Sequence, residues 1–497
     1  LMTTDASDYP LDTTLPADFH LLAGEHVLEP VVYHAHRKPE RVPSDLEQMT
    51  RLTKARLADE IGRFGPAQAA TTMSSDAPEH LRLYETLFGR DSLRVAIDLI
   101  SSYPLLARTT ILELAMLQGV GDNIEREEEL GRIVHEARDP EDPIAQKLTF
   151  ELGWGWPYYG SVDATPEFIR TLTAYCQRSE ENRGFLSEQY VDRNGETQTI
   201  SHALEMALSW IQRRLNMNPE GLLEYHASLP RGIENQVWKD SWDSYHHSDG
   251  RIANHDQGIA SIEVQATAYD ALIDAAELFE DILDQPTHAA LLRSHASVLR
   301  QAILSIFWTE DKGGYFVLGT DRDAHGHLRQ LKVRTSNMGH TLNSRLLEGD
   351  DPIVVHMRQA VVRQLFSPEL LNISGIRTLA SDELRFRPGA YHNGSVWLWD
   401  THHIAKGLRR LGYEDEADDL DRRLLNVIET TRIFPEYVRG DTEPHPTINE
   451  RTIILWDSIM QRQNVIEQPP QEVQAWTVAA ILATKHRIDR RARPTQS

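Results

Sequence analysis

Residues 261–282 read SIEVQATAYDALIDAAELFEDI, and this stretch contains the clearest helical pattern in the chain. Gln265 lies beside the apolar residues that repeat along this helix, so its amide is expected to point inwards to a partner or a ligand. The stretch predicts a long amphipathic helix with one face packed on the interior. The apolar positions that share this face are Ile262, Ala266, Tyr269, Leu272, Ile273, Ala276 and Phe279.

About thirteen segments with a helical pattern occur along the chain. Capping residues support some of their ends, since Ser44 can begin the first, Thr165 can begin another, and Gly412 follows the end of a third. The predicted helices lie at about 45–64, 92–103, 106–118, 126–137, 165–178, 198–214, 261–282, 287–307, 338–348, 352–366, 395–411, 413–430 and 472–485.

The fold class follows from this helical content. Strands and helices do not alternate, although a short hairpin is predicted around 315–318 and extended pieces around 369–379. No linker-like tract interrupts residues 44–490, so we expect an irregular lead-in at 1–43 and one domain at 44–497. Helix pairs with long loops fit a barrel, a solenoid or several bundles, and the lack of a fixed repeat disfavours a solenoid. The predicted fold is all-α, an (α/α)6 barrel (six-hairpin toroid) with long inter-helix loops.

Composition limits the classes of partner. The net charge is −24, from 75 acidic and 51 basic residues, which argues against nucleic acid and anionic membranes as partners. Cys176 is the only cysteine, so a disulfide framework is impossible, and this residue is expected to be buried on a helix. No apolar run is long enough to span a membrane, and the acidic, polar first residues do not read as a signal peptide. We therefore expect a cytoplasmic protein.

Residues 236–247 read QVWKDSWDSYHH and combine acidic and aromatic side chains. Asp240 lies between Trp238 and Trp242, and Asp243 follows three positions later. Aromatic rings pack on the faces of sugar rings while carboxyl groups transfer protons, so this pattern is typical of a sugar-cleaving site. The alternative interpretation is the start of a surface helix with an aromatic anchor.

Two further stretches precede predicted helices. In LFGRDS at 87–92, Arg90 and Asp91 could bind neighbouring hydroxyl groups. The alternative is that Asp91 or Ser92 caps the next helix while Arg90 is solvated. In WGWPYYGSVDATP at 154–166, aromatic residues broken by glycine and proline could form a stacking wall beside Asp163. The alternative for this second stretch is an aromatic plug in the core.

The last candidate stretches are YHNGSVWLWD at 391–400 and IFPEY at 433–437. Glu436 lies between aromatic residues after a proline, which is unusual for a plain exposed loop. Together with Asp240 it could form the pair of carboxyl groups that glycoside hydrolysis requires. A separation of roughly 6.5–9.5 Å would imply inversion, and about 5 Å retention.

Five motifs occur in a characteristic order: GRDS at 89–92, PYYGSVDATP at 157–166, NQVWKDS at 235–241, NGSVW at 393–397 and QAWT at 474–477. Together they resemble the catalytic domain of bacterial amylo-α-1,6-glucosidase (glycogen debranching enzyme-like) proteins, over about residues 80–485. More distantly, the chain is similar to the clan of (α/α)6 barrels that contains glucoamylase, processing α-glucosidase and trehalase.

This resemblance implies an inverting hydrolase of α-glucosidic bonds. Asp240 matches the general acid, Glu436 matches the general base, and Arg90 with Asp91 matches the pair that holds the sugar. We expect Asp240 to be protonated at rest and Glu436 to be ionised. The other positions expected to bind substrate or line the pocket are Trp156, Tyr159, Asp163, Trp238, Lys239, Gln265, His392, Trp397 and Trp476.

The chain also departs from the family pattern, because Val237 replaces a usual glycine and Leu398 a common proline. The family often carries a β-rich domain before the barrel, for which 1–43 is too short. These differences concern the choice of substrate. Asp243 is a rival to Asp240 as the acid. Weaker rivals to Glu436 are Glu443 and Glu450.

No metal or cofactor is expected. The histidine pairs at 246–247 and 402–403 lack the i, i+4 spacing of a shared ligand face, and no phosphate-binding loop of P-loop type occurs. The expected partner is a small carbohydrate or an oligosaccharide. Two alternatives stay open, namely a phosphorylase of the same barrel shape and a non-catalytic carbohydrate-binding protein.

Overall fold

The computed structural model describes residues 53–54, 56–57, 65–71, 82–441, 452–457, 462–467 and 470–492. The predicted lead-in at 1–43, most of the predicted helix at 45–64, and the rival acids Glu443 and Glu450 lie outside the described residues.

The described part of the chain is mostly helical. Its α-helices are α1 (Gly89–Leu99), α2 (Pro104–Met116), α3 (Pro143–Leu152), α4 (Ala164–Cys176), α5 (Glu180–Arg183), α6 (Ile200–Met217), α7 (Ile262–Asp281), α8 (Pro286–Ile306), α9 (Asn337–His340), α10 (Pro352–Leu365), α11 (Leu398–Arg410), α12 (Glu414–Thr431) and α13 (Ala475–Ala492).

Six of these helices form a closed inner ring. In order around the ring, α1 contacts α4, α4 contacts α7, α7 contacts α9, α9 contacts α11, α11 contacts α13, and α13 returns to α1. Among the described residues, the helices α2, α6, α8, α10 and α12 pack outside this ring, each against at least one inner helix. This double ring of helices is the predicted (α/α)6 barrel, so the fold prediction is confirmed.

Short strands lie between the helices. They are β1 (Ala70–Thr71), β2 (Leu87–Phe88), β3 (Glu136–Ala137), β4 (Gln189–Val191), β5 (Thr197–Thr199), β6 (Ala260–Ser261), β7 (Trp308–Thr309), β8 (Tyr315–Phe316), β9 (Gly319–Arg322), β10 (Leu328–Leu331), β11 (Leu371–Asn372), β12 (Gly375–Ile376), β13 (Val396–Trp397), β14 (Tyr437–Val438), β15 (Thr452–Asp457), β16 (Arg462–Glu467) and β17 (Val473–Gln474).

The strands pair antiparallel. The pairs are β1 with β17, β2 with β3, β4 with β5, β7 with β8, β11 with β12, β13 with β14 and β15 with β16, while β9 lies between β6 and β10. Four inner helices (α1, α7, α11 and α13) begin directly after such a strand. The strands therefore fix where these helices start, and the predicted hairpin near 315–318 and extended pieces near 369–379 are both present.

The helix α7 shows how the periodic pattern becomes packing. Its residues Leu272 and Phe279 are fully buried, as are Leu292 and Leu299 of the neighbouring helix α8. All four belong to one continuous apolar core. Burial of each such side chain stabilises the fold by about 1.5–3 kcal/mol, which explains why the apolar stripe predicted this helix well.

The predicted helix at 126–137 is wrong. The chain there forms a 3-10 turn at Ile124–Arg126, continues irregularly and then enters β3. Glu127 and Gly131 have φ angles of +52° and +86°, which lie in the left-handed region and cannot continue a right-handed helix. A Cβ on Gly131 would lie 2.2 Å from the Met206 carbonyl oxygen, so tertiary packing also determines this backbone.

Smaller differences concern helix ends. The predicted helix at 338–348 is only one turn of α-helix, α9, followed by 3-10 turns at Thr341–Asn343 and Arg345–Leu347. Thr165 is not a cap, because α4 begins one residue earlier and the Thr165 hydroxyl accepts from the Ile133 backbone N–H at 3.0 Å. The predicted glycine end of α11 is confirmed, since Gly412 has a φ of +85°.

The helices α3 and α5 were not predicted. The start of α3 carries a recognisable signal, since the Asp142 side chain accepts from the Ile144 N–H and Pro143 occupies the first turn. Among the described residues, no helix is both long and apolar enough to cross a membrane.

Candidate active site

The candidate site lies where the inner helices begin. Arg90 and Asp91 occupy the first turn of α1, Asp163 directly precedes α4, and Trp476 is in the first turn of α13. Asp240 is in the long connection between α6 and α7. Residues from distant parts of the chain therefore meet at one end of the barrel, as expected for an active site carried by loops on a rigid scaffold.

Arg90 organises the acidic side chains. Its Nε donates to Asp163 Oδ2 at 2.8 Å, and its Nη1 donates to Asp240 Oδ2 at 3.5 Å. Asp163 also accepts from the Ser161 hydroxyl at 2.6 Å. The third guanidinium nitrogen, Nη2, is buried without a hydrogen-bond partner within the described protein. A buried donor of this kind is well suited to a substrate hydroxyl.

The Asp240 carboxyl lies beside Arg90, with 32% of its side chain exposed. Burial within the site raises its pKa to about 6. The guanidinium of Arg90 opposes this rise, while the negative charges of Asp163 and Glu136 add to it. The predicted general acid therefore has the raised pKa that proton donation near neutral pH requires.

Glu436 is almost completely buried, at 3% exposure. Its Oε1 accepts from the Tyr391 hydroxyl at 2.6 Å, and its Oε2 accepts from the Gln471 backbone N–H at 3.0 Å. Burial raises the pKa of Glu436 to about 7, the two donors oppose the rise, and the charge of Asp240 adds to it. The two carboxyl groups are thus close enough to influence each other.

The order of these pKa values differs from the expected protonation states. The sequence interpretation has Asp240 protonated and Glu436 ionised at rest, whereas burial raises the pKa of Glu436 to about 7 and that of Asp240 to about 6. The positive charge of Arg90 lowers the pKa of Asp240 and favours its ionised form. Among the described residues, no cation lowers the pKa of Glu436 in this way. Near pH 6.5 the two carboxyl groups together carry about one proton. Because the groups interact, their pKa values describe the pair and not either residue alone.

Asp91 is buried close to these groups. Its carboxylate oxygen accepts from the Gln474 side chain at 3.5 Å. Burial raises the pKa of Asp91 to about 8; the charge of Arg90 opposes this, and the charges of Asp240, Asp163 and Glu436 increase it. Four carboxyl groups thus interact within this site, so it can both donate and accept hydrogen bonds at neutral pH.

Aromatic rings form another part of the site. Trp238 lies edge-on to Trp399, with ring centroids 4.9 Å apart, and to Trp397 at 5.7 Å. Trp476 stacks on Trp399 at 4.9 Å. The indole nitrogens of Trp238, Trp399 and Trp476 are buried without hydrogen-bond partners within the described protein. Three free indole donors beside Arg90 give a pocket suited to a ligand with several hydroxyl groups.

Lys239 and His392 support the loop that carries Asp240. Lys239 Nζ donates to the Thr378 carbonyl at 2.6 Å, and burial lowers the pKa of this lysine to about 8. His392 Nδ1 lies 2.8 Å from the Ser241 hydroxyl. These two contacts tie both neighbours of Asp240 to the segment around 378–392, so they help to orient the acid.

A cavity on the barrel axis is lined by predicted and unpredicted residues. Arg90, Asp163, Trp238 and Trp476 were predicted. The unpredicted polar lining residues are Arg94, Glu167, Glu263 and Thr267. Arg94 and Glu167 each lie four residues, or one helical turn, after a predicted site residue, so the i, i+4 spacing could have identified both.

Tyr84 is a further site residue that the sequence analysis missed. Its electrostatic environment includes both Glu436 and Asp240. Burial raises its pKa well above the ordinary value. It lies in a loop before β2, where no periodic pattern marks it.

Three predicted substrate-binding residues make hydrogen bonds to the scaffold. Trp156 Nε1 donates to the Thr149 hydroxyl at 2.9 Å, and the Tyr159 hydroxyl donates to the Leu117 carbonyl at 2.5 Å. The Gln265 amide accepts from the Leu223 N–H at 2.8 Å and donates to the Leu223 carbonyl at 3.0 Å. These bonds occupy the polar groups that the sequence interpretation assigned to substrate.

The rival acid Asp243 is also engaged by the protein. Asn393 Nδ2 donates to its carboxylate and to its carbonyl oxygen, at 2.9 Å in each case. Arg385 lies 4.0 Å from the same carboxylate. These contacts join the turn after Asp240 to the loop before β13, which favours a structural role for Asp243 over proton transfer.

The histidine pairs have other partners. His247 Nε2 lies 3.0 Å from Asp321, and His403 Nδ1 lies 2.9 Å from Arg94 Nη1. Within the described ranges, no group of three or more histidine, cysteine or acidic residues is arranged to hold a metal ion.

Comparison with known proteins relates this chain to a family of glycoside hydrolases. A family model described as "Mannosylglycerate hydrolase MGH1-like glycoside hydrolase domain" matches residues 166–445, more than half of the chain. A mannosylglycerate hydrolase from Rubrobacter radiotolerans is 28% identical over 173 residues, which are 33% of this chain and 36% of that protein. The matched segment therefore spans about a third of this relative's length.

Solved structures show the same architecture. A GH63 mannosylglycerate hydrolase from Thermus thermophilus, in complex with Tris and D-glycerate, has a TM-score of 0.56 at 14% identity, covering 88% of this chain and 100% of that chain. The structure described as its complex with glucose has a TM-score of 0.55 at 14% identity, covering 88% and 99%. At this level of identity, the likeness shows the fold alone.

Proposed function

The chain belongs to the family of the mannosylglycerate hydrolase MGH1-like glycoside hydrolase domain, and from this premise we propose that it removes one sugar from a small glycoside, with inversion. It is a glycoside hydrolase. The proposed substrate is an α-linked mannose or glucose joined to a small hydroxy acid such as glycerate. We also propose that residues 44–497 act as one catalytic domain.

One observation carries the proposal. Asp240 lies 3.5 Å from Arg90, Asp240 and Glu436 both have raised pKa values, and the charge of Asp240 acts on Glu436. In the proposed reaction, Asp240 protonates the leaving oxygen while Glu436 takes a proton from the attacking water. Arg90 and Asp91 hold the hydroxyl groups of the sugar, and the indole nitrogens around Trp238 complete its surroundings.

The choice of substrate differs from the debranching-enzyme resemblance. The matching family model and the curated relative are both named for mannosylglycerate hydrolysis, which supports a small acidic leaving group. Glucose remains part of the proposal, since one structural neighbour is described in complex with glucose. An amylo-α-1,6-glucosidase activity is therefore tested as the competing specificity.

A hydrolysis panel read by proton NMR tests both specificity and stereochemistry. The panel contains α-mannosylglycerate, α-glucosylglycerate, isomaltose, maltose, trehalose and glycogen. We expect turnover of at least one glycerate glycoside, with a kcat/KM at least about 100-fold above that for isomaltose. The first sugar released from an α-glycoside should be the β-anomer; initial release of the α-anomer contradicts inversion. Turnover that requires phosphate would indicate a phosphorylase, and binding without turnover a sugar-binding protein.

Single substitutions test the roles of the two acids. Asp240→Asn and Glu436→Gln should each lower kcat by about 10²–10⁴-fold, because each removes one proton-transfer group while keeping its shape. Asp243→Asn is the matched control, as it replaces the rival acid three residues later. A near-wild-type rate for Asp240→Asn, with a lost rate for Asp243→Asn, would transfer the acid role to Asp243.

A further inference from the structure

The protein holds Glu436 by both carboxylate oxygens. Tyr391 donates to one oxygen at 2.6 Å and the Gln471 backbone donates to the other at 3.0 Å. A base that removes a proton from a single water must keep its lone pairs aimed at that water. Fixing the carboxylate plane through two donors provides this orientation before the substrate arrives.

Tyr391 is fixed in turn. Its carbonyl oxygen accepts from the Trp397 indole nitrogen at 2.8 Å and from the Ser395 hydroxyl at 2.6 Å. Its ring lies against those of Trp397 and Tyr437, with centroids 5.0 and 5.4 Å away. Trp397, which is only 1% exposed, thus contacts Tyr391 with its ring and with its N–H.

The strand pair β13–β14 links these parts to the base. Trp397 of β13 is directly opposite Tyr437 of β14, and Tyr437 follows Glu436 in the chain. The two rings stack with an interplanar angle of 26° and centroids 5.4 Å apart. One short ladder therefore sets the relative positions of Glu436 and of the residue that supports Tyr391.

We propose that Tyr391 is a positioning residue for the base, and that Trp397 holds Tyr391 in place. This inference rests on the proposed function. As Glu436 takes one proton from water, the water oxygen forms a bond to the anomeric carbon, and the bond to the leaving oxygen breaks. The leaving oxygen receives the proton of Asp240, so protons and charges balance.

Replacing Tyr391 by phenylalanine keeps the buried ring and removes only the donor. We expect kcat to fall about 10- to 100-fold, the effect of one hydrogen bond to a charged group, with KM changed by less than about threefold. If Tyr391 only stabilised the fold, its replacement would lower the melting temperature but would not lower kcat selectively while KM stays nearly constant.

The pH profile gives a second readout. Tyr391 donation lowers the pKa of Glu436, so its loss raises that pKa, and the limb of the kcat/KM profile that reports Glu436 should move to higher pH. The other titratable groups that act on or face Glu436 are Asp240, Asp91 and Tyr84. These groups remain in the variant, so the second limb should keep its position.

Two variants complete the experiment. Tyr190→Phe, at a buried tyrosine on β4, is the matched control and should leave kcat and both limbs unchanged. Trp397→Phe removes the indole donor to the Tyr391 carbonyl, so it should move the Glu436 limb in the same direction as Tyr391→Phe, by a smaller amount. If Tyr391→Phe does not fold, an unmoved limb in Trp397→Phe overturns the proposal.

The outcomes separate this inference from the proposed function. If Glu436→Gln is inactive while Tyr391→Phe has wild-type kcat and unmoved limbs, the positioning role is overturned and the proposed function stands. If no glycoside is hydrolysed, or if Glu436→Gln retains full activity, the proposed function fails and the inference falls with it.

Discussion

At the scale of single residues, the chemistry depends on how burial is balanced by charge and hydrogen bonds. Asp240 and Glu436 are carboxyl groups close enough for the charge of Asp240 to act on Glu436, yet they have different partners. Arg90 acts on Asp240, whereas the Tyr391 hydroxyl and the Gln471 backbone act on Glu436. Burial raises both pKa values into the range in which a single proton is shared by the pair.

This environment predicts a bell-shaped pH dependence of kcat/KM. Activity requires one proton on the pair, so it should fall below about pH 6, where both groups become protonated, and above about pH 7, where both become ionised. The measurement is kcat/KM from about pH 4.5 to about pH 9 at constant ionic strength, a range that brackets both limbs. Asp243→Asn should keep both limbs, while a flat profile across this range would refute the assignment of the pair.

At the scale of secondary-structure elements, the start of α1 is sterically constrained. A Cβ on Gly89 would lie 2.1 Å from the Val134 carbonyl oxygen, and the Gly89 N–H donates to the His135 carbonyl at 2.9 Å. The segment leading into β3 therefore approaches the first turn of α1 so closely that only glycine fits. This approach determines the position of Arg90, the next residue.

Gly89→Ala should destabilise the protein and displace Arg90. The contact is with backbone, so it cannot be relieved by side-chain rotation, and we expect a loss of about 1–3 kcal/mol in unfolding free energy together with lower kcat. Denaturant unfolding and steady-state kinetics measure the two effects. Gly121→Ala is the control, because a Cβ there meets nothing within 4 Å. Equal stability of both variants would contradict this interpretation.

At the scale of the whole molecule, the inner ring is joined by charged groups near the barrel axis. Arg94 of α1 forms an ion pair with Glu167 of α4 at 2.5 Å, and the exposed fractions of the two side chains are 10% and 1%. Arg94 also contacts His403 of α11 at 2.9 Å. Arg94 and Glu167 line the same cavity as Arg90 and Trp238, so the stability of the ring and the shape of the pocket are linked.

Glu167→Gln should therefore lower both stability and activity. Removal of one partner leaves the buried Arg94 charge without its counter-ion, which typically costs about 3–5 kcal/mol of unfolding free energy. Glu280→Gln is the control, because its ion pair with Arg293 is on the surface and contributes about 0–1 kcal/mol. Similar denaturation midpoints for the two variants would show that the axial pair contributes little.

Local patterns in the sequence were sufficient for the helices and for the chemical type of the site. The helix α7 follows from the spacing of its apolar residues, and Asp240 and Glu436 stand out because aromatic residues flank them. Both signals lie within a few residues of chain, where side-chain periodicity and composition act directly. The sequence by itself therefore determined an all-α barrel with a carboxyl-bearing, aromatic pocket.

Only the tertiary structure decided which residues meet and how they are protonated. Arg90 and Asp240 are 150 residues apart in the chain, and Tyr391 and Glu436 are 45 apart, yet each pair is in contact. The same packing turned the predicted helix at 126–137 into irregular chain. Contacts between distant segments depend on the closed ring of helices, and pKa values depend on the burial that this ring produces.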